Sequence, residues 1–132
     1  HDIGVSLLIA EKDPIDVYSK NWSIRNERGD YAVAILDFGT MAASIEVNWF
    51  TPHPIRTLGI TGTKGTAWLD YKDQTVTIFN CDGELNLKIK KQEPLKIELQ
   101  HFLSCIENDT TPFVDGYEGL RILKVALMAG AK

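Results

Sequence analysis

The chain has 132 residues, 44% of them hydrophobic and 24% charged, with a formal net charge of −4. That is one domain's length, enough to bury a core without metals or disulfides. The acidic balance argues against a nucleic-acid surface, no apolar run approaches the ~18 residues of a membrane span, and no stretch reads as a signal peptide.

In chain order, residues 1–10 read as the end of a helix with Ile3, Leu7 and Leu8 on one side, stopped by Asp13-Pro14. A loosely alternating strand runs from Ile15 to Trp22, and residues 26–30 form a polar turn. Residues 31–38 form a strand, followed by Gly39-Thr40 and a strand over 41–50. In this last strand Met41, Ala43, Ile45, Val47 and Trp49 alternate with mostly polar neighbours, the pattern of a half-buried antiparallel strand. Gly39, first in a two-residue loop, suits the positive φ of a type II′ hairpin. Pro52 and Pro54 interrupt pairing, which resumes over 55–61. Gly62–Gly65 then turns into 66–71, and 76–80 with 85–89 make one more hairpin around Asp82-Gly83.

Two helices close the chain. Pro94 suits a first helical turn, and Leu95, Leu99, Phe102, Leu103 and Ile106 recur at helical spacing. Asp115 and Glu118 form a capping box for a last helix over 116–131, apolar on most sides and so expected to be buried between layers. Strands followed by helices give an α+β class: an open, mostly antiparallel sheet of six to eight strands with helices on one face, in a single domain over 1–132.

Several motifs fail on inspection. Gly59–Thr66 has glycines and a lysine, but neither phosphate-loop spacing nor a following helix, so it reads as a hairpin. Glu11-Lys12-Asp13-Pro14 reads as a polar helix end. His101 and Cys105 lie four apart on one helix, but without a third ligand no metal is expected. Cys81 and Cys105 fit no disulfide framework, so reduced thiols and a cytoplasmic location are expected. No Ser-His-Asp arrangement supports a hydrolase.

Six segments in order carry a resemblance: His1-Asp2-Ile3 opening a helix, Leu36–Thr40, Val47-Asn48-Trp49, Pro54–Gly65, Glu93-Pro94-Leu95 with Glu98 and Phe102, and Gly116–Gly119. Together they resemble the C-terminal domain of the glucose–fructose oxidoreductase / inositol dehydrogenase / MocA family. The resemblance implies an N-terminal Rossmann half, outside this sequence, that binds NAD or NADP. It implies hydride transfer from a sugar or nucleotide-sugar hydroxyl, and a homodimer or homotetramer formed through the open sheet face. His1 matches the family's catalytic histidine, a group that titrates near neutrality and can handle the hydroxyl proton. The alternative for His1 is an exposed terminus. Where many members carry a substrate-binding Asp three residues later, this chain has Gly4, which tells against an inositol-like substrate.

Trp49 and Arg56 flank the proline bend at a strand end, where a pocket rim could use an indole to stack and a guanidinium to pair with an anion. A core Trp and a structural Arg are the plainer readings. The whole protein is expected to be an NAD(P)-dependent sugar dehydrogenase, with this part inactive alone. The alternative is a stand-alone binding or dimerisation module on the same fold.

Overall fold

The computed structural model describes residues 1–25, 27 and 29–130. Its elements in chain order are α1 (Asp2–Ala10), β1 (Asp16–Trp22), β2 (Tyr31–Asp37), β3 (Ala42–Asn48), β4 (Thr57–Gly62), β5 (Gly65–Asp70), β6 (Thr75–Asn80), β7 (Gly83–Leu87), α2 (Pro94–Glu107) and α3 (Gly116–Gly130). All strand pairs are antiparallel, as an α+β chain of this pattern should have. The seven strands make two ladders, β1-β2-β3 and β4-β5-β6-β7. The break between ladders falls where Pro52 and Pro54 remove backbone donors. The chain divides into two compact units, His1–Phe50 with Thr111–Lys132, and Thr51–Thr110. Asn26 and Arg28, in the turn read from the sequence, and Ala131, at the end of its last helix, lie outside the described residues.

In the first unit, α3 packs on β1 while α1 packs on α3 and β3. Leu7 of α1, Val17 of β1, Leu36 of β2, Phe38 and Val125 of α3 form the buried cluster. Each such burial removes enough apolar surface from water to contribute about 1.5–3 kcal/mol. The strand register sets Val17 beside Leu36 and Leu36 beside Ala43, so one face of the three-stranded sheet supplies the core. The β2–β3 turn needs its glycine: Gly39 has φ +77°, and a Cβ there would sit 2.8 Å from Ile15 Cδ1. Phe38 N–H donates to Met41 O at 2.9 Å across that loop.

Two burial expectations change. Leu8 is exposed, while Ser6 is buried beside Leu7 because its hydroxyl donates to Asp2 O at 2.9 Å and so carries no unpaired group inward. The last helix is not buried all round. Val125 is covered and Ile122 and Ala129 partly so, whereas Leu120, Leu123, Leu127 and Met128 are exposed within this unit, because β1 and α1 cover one face of it. Its start is capped as its sequence suggests, with Glu118 N–H donating to Asp115 Oδ1 at 2.8 Å.

The second unit is a four-stranded meander followed by α2. Gly62 pairs with Gly65 across the first hairpin. Gly65 has φ +148°, and a Cβ would meet Phe79 O at 2.2 Å, so backbone of β6 occupies the space any side chain would need. The last strand stops at Leu87, two residues short of the sequence expectation. Helix α2 opens with Pro94 after Glu93, whose carboxylate accepts from Lys96 N–H at 3.1 Å. Cys105 is its buried residue, and Leu95, Leu99, Phe102, Leu103 and Ile106 are exposed.

Candidate functional site

His1 occupies the N-cap position of α1, where its carbonyl accepts from Val5 N–H at 3.0 Å. The residue is exposed and lines a groove of about 320 Å³ in the first unit, together with Asp2, Ser19, Asn21, Ile45 and Ala129. Strand alternation explains the polar wall. Val17, Ser19 and Asn21 share one face of β1, and Val17 is in the core, so Ser19 and Asn21 face the same side.

Asn21 Nδ2 donates to Ala129 O at 3.4 Å, tying the strand to the end of α3. Ser19 Oγ is buried and has no hydrogen-bond partner among the described residues. Leaving a buried hydroxyl unpaired costs about 1–3 kcal/mol, which a hydroxyl-bearing ligand or a water would offset. Around one groove, therefore, stand an imidazole, a carboxylate, an amide and an unsatisfied hydroxyl, a set suited to hydrogen-bonding a polyhydroxylated molecule.

Glycine at position 4 has a packing reason. A Cβ there would lie 3.1 Å from Ile122 Cδ1, so the absent side chain lets α1 lie close against α3. An Asp at this position would have to displace Ile122.

The other sequence candidates scatter. Trp49 follows the end of β3 and is 87% exposed, so it is no core residue of its unit; the apolar alternation of β3 continues past the part of the sheet that is covered. Its N–H donates to Asp30 O at 2.9 Å. Arg56 belongs to the second unit, is exposed, and accepts Tyr71 N–H at its carbonyl at 3.0 Å. Gly59–Thr66 is the β4–β5 hairpin. In the Glu11–Pro14 segment, Glu11 closes α1 with φ 54°, Lys12 Nζ donates to Thr40 Oγ1 at 3.0 Å, and Asp13 accepts from Arg121. His101 Nε2 lies 3.7 Å from Cys105 Sγ; among the described residues no group of three or more His, Cys, Asp or Glu could hold a metal. Cys81 and Cys105 are free thiols. Also among the described residues, no helix is long and apolar enough to cross a membrane.

A second groove, about 370 Å³, lies along α3 near Asp13, Tyr117, Arg121 and Lys124. Its arginine is already engaged by Asp13 and by Glu118 at 3.2 Å, and these acids, Asp13 first, hold the guanidinium more firmly protonated. That makes it a strut between the start of the chain and its last helix. Ser19 and Asn21 were not singled out from sequence. The available signal was their parity with Val17, which puts two polar residues on a core-facing row.

No family model matches the chain. UDP-N-acetylglucosamine 3-dehydrogenase of Acidithiobacillus ferrooxidans is 25% identical, over 96% of this chain and 44% of that protein. The scyllo-inositol 2-dehydrogenase (NAD(+)) of Bacillus subtilis is 28% identical, over 98% and 41%. Among solved structures, UDP-N-acetylglucosamine 3-dehydrogenase GnnA from Acidithiobacillus ferrooxidans superposes with a TM-score of 0.93 at 24% identity, covering 99% of this chain and 44% of that one. A dehydrogenase (MviM) from Clostridium difficile superposes at 0.83 with 13% identity, covering 100% and 46%. At these identities the superpositions establish the fold, and the chain spans under half the length of the relatives it matches.

Proposed function

With the chain taken as a C-terminal domain of the glucose–fructose oxidoreductase / inositol dehydrogenase / MocA family, in keeping with its relatives and structural neighbours, we propose that it is the substrate half of an NAD(P)-dependent dehydrogenase acting on a sugar or nucleotide-sugar hydroxyl. The observation that carries this reading is the convergence of His1 with Ser19 and Asn21 on one groove. A nicotinamide held by a Rossmann half of the whole protein would supply the hydride acceptor for the carbinol carbon. Within this chain the work is to bind the sugar, orient the carbinol and hold its proton.

The roles follow from chemistry. The imidazole of His1 takes the hydroxyl proton as the carbon is oxidised, and returns it in the reverse direction. Ser19 Oγ pairs with a neighbouring sugar hydroxyl, which satisfies a group buried without a partner among the described residues. Asn21, anchored to Ala129 O, shapes the floor of the groove. Glycine at position 4 tells against an inositol-like substrate, because it offers no carboxylate to a ring hydroxyl. The open faces of the strands serve assembly into a dimer or tetramer.

The test is turnover of the whole gene product. NAD or NADP should be reduced with a nucleotide sugar, the present chain alone should show no turnover, and His1→Asn in the whole protein should lower kcat by about 10²–10⁴-fold. A parent frame without a Rossmann half, or full activity in His1→Asn, would refute the assignment.

A further inference from the structure

The floor of the His1 groove is graded across the three strands of the first unit. Register pairs Asn21 with Ala32 and Ala32 with Val47 and, two residues along, Ser19 with Ala34 and Ala34 with Ile45. All six residues line the groove, and they share the sheet face that carries Val17 and Leu36 into the core. β1 thus contributes a polar column, β2 a column of alanines and β3 a column of branched aliphatics, at successive spacings of about 4.8 Å. Alanine is the shortest of these side chains, so the floor dips along β2.

The two outer columns differ in how they are covered. On the β1 side, α3 packs on the strand, Asn21 Nδ2 reaches Ala129 O, and Ser19 Oγ is buried without a partner among the described residues. On the β3 side, α1 packs on the strand and Ile45 is partly buried against the core, whereas Val47 is 46% exposed although it shares their face. An apolar wall is therefore left open to the groove, opposite a polar one.

A bare sugar is a poor match for such a floor. It carries a hydroxyl on nearly every ring carbon, and a hydroxyl set over Ala32, Ala34 or Val47 would give up water without gaining a partner. A carbon substituent in the same place would cover apolar surface that is otherwise wet. The groove thus calls for a sugar that is polar along one edge and carries an alkyl group along the other.

We propose that the groove takes an acylamino sugar, a ring on which one hydroxyl is replaced by an amide whose acyl carbons fill the dip over Ala32 and Ala34 and lie against Val47. This assignment rests on the groove reading given above and adds the class of sugar. An amide suits the position because its N–H faces the polar column while its alkyl end lies on the apolar one. Ser19 Oγ has one donor and two acceptor positions, so it serves the amide N–H together with the ring hydroxyl already assigned to it. Val47 and Ala32 touch only the acyl carbons and set specificity.

The experiment compares UDP-N-acetylglucosamine with UDP-glucose, which differ by one acetamido group against a hydroxyl, on the whole gene product, through kcat/KM and calorimetric Kd. The acetamido compound should be preferred about tenfold or more, the usual worth of one small apolar group in a fitted pocket. Val47→Thr keeps the shape of the side chain and puts a hydroxyl on the apolar wall, and Ala32→Val fills the dip. In each variant, with folding checked by circular dichroism, the preference should fall about tenfold. Equal values for the two compounds, or a preference that neither folded variant changes, overturns the acylamino assignment and leaves the groove reading standing. A preference in Kd that the variants abolish, without turnover of either compound, supports the acylamino assignment and removes the dehydrogenase reading. Failure of both compounds to bind removes both.

Discussion

The two units are built on different terms. The first closes a core from both helices and one sheet face, with Leu7, Val17, Leu36, Phe38 and Val125 covered within the unit itself. The second has a longer ladder, yet Cys105 is its one buried apolar residue, and Trp68, Phe79, Leu85 and the apolar row of α2 stay exposed. Strand pairing alone thus gives regular structure without a core, since cross-strand pairs contribute only about 0.2–1 kcal/mol each. The candidate groove lies in the unit with the core, where side chains can be held in place. The second unit instead offers apolar surface, the property an assembly face requires.

The sharpest way to break this contrast is to empty the first core. Phe38→Ala should cost about 3–5 kcal/mol, read as a shift of the urea midpoint, because the ring is fully buried among side chains that cannot all collapse onto the void. Phe79→Ala, at a half-exposed site, should lose well under half as much. Equal losses would mean that the second unit has a core of its own.

Next in size is a backbone test of the second unit. Gly65→Ala forces a Cβ towards Phe79 O from a left-handed φ and should cost about 3 kcal/mol, seen as a lower thermal midpoint. If the second unit were held mainly by side-chain burial, this substitution would do little and Phe79→Ala would do more.

Smaller again is the strut. Asp13→Asn removes the ion pair that joins the segment after α1 to α3, and should cost less than about 1 kcal/mol, because the carboxylate is largely exposed. The loss should shrink at high salt. A larger, salt-independent loss would mean that the first unit depends on this tie as well as on its core.

Much of this was legible in the amino-acid sequence, for local reasons. Gly39 and Gly65 mark turns because only glycine tolerates their φ, and Pro94 and Asp115 mark helix starts because they resolve unpaired N–H groups. Coverage was less legible. Periodicity says which residues share a face and not whether anything lies over it, so Leu8, Trp49 and most of the apolar residues of α3 are more exposed than their spacing suggests. The site was half visible. His1 came from resemblance, whereas Ser19 and Asn21 are brought to it by α3, more than 100 residues further along the chain. Asp30 fell within a stretch that reads as a solvated turn, and nothing in a polar cluster marks the one carboxylate that turns inward.

The smallest expected effect concerns alkaline pH, and it too separates the units. Tyr31 is pushed above the ordinary value of 10.0, first by the hydrogen bond from its hydroxyl to Glu46 at 3.0 Å, then by desolvation and by that carboxylate's charge. Tyr18 is raised in the same sense, first by its hydrogen bond to Asp16. A raised folded-state value means that the unfolded chain loses its proton first. The tyrosines' contribution is therefore fully present below pH 10 and is lost as pH rises through the raised values. Both residues lie in the first unit. Tyr31→Phe should leave urea midpoints on the acid side of pH ~10 lower than in the parent chain, and flatten part of the decline above it. Tyr31→Phe with Tyr18→Phe should flatten more. If the decline persists unchanged in the double variant, the alkaline limb belongs to other groups and the Tyr31–Glu46 bond contributes nothing that titration can reveal.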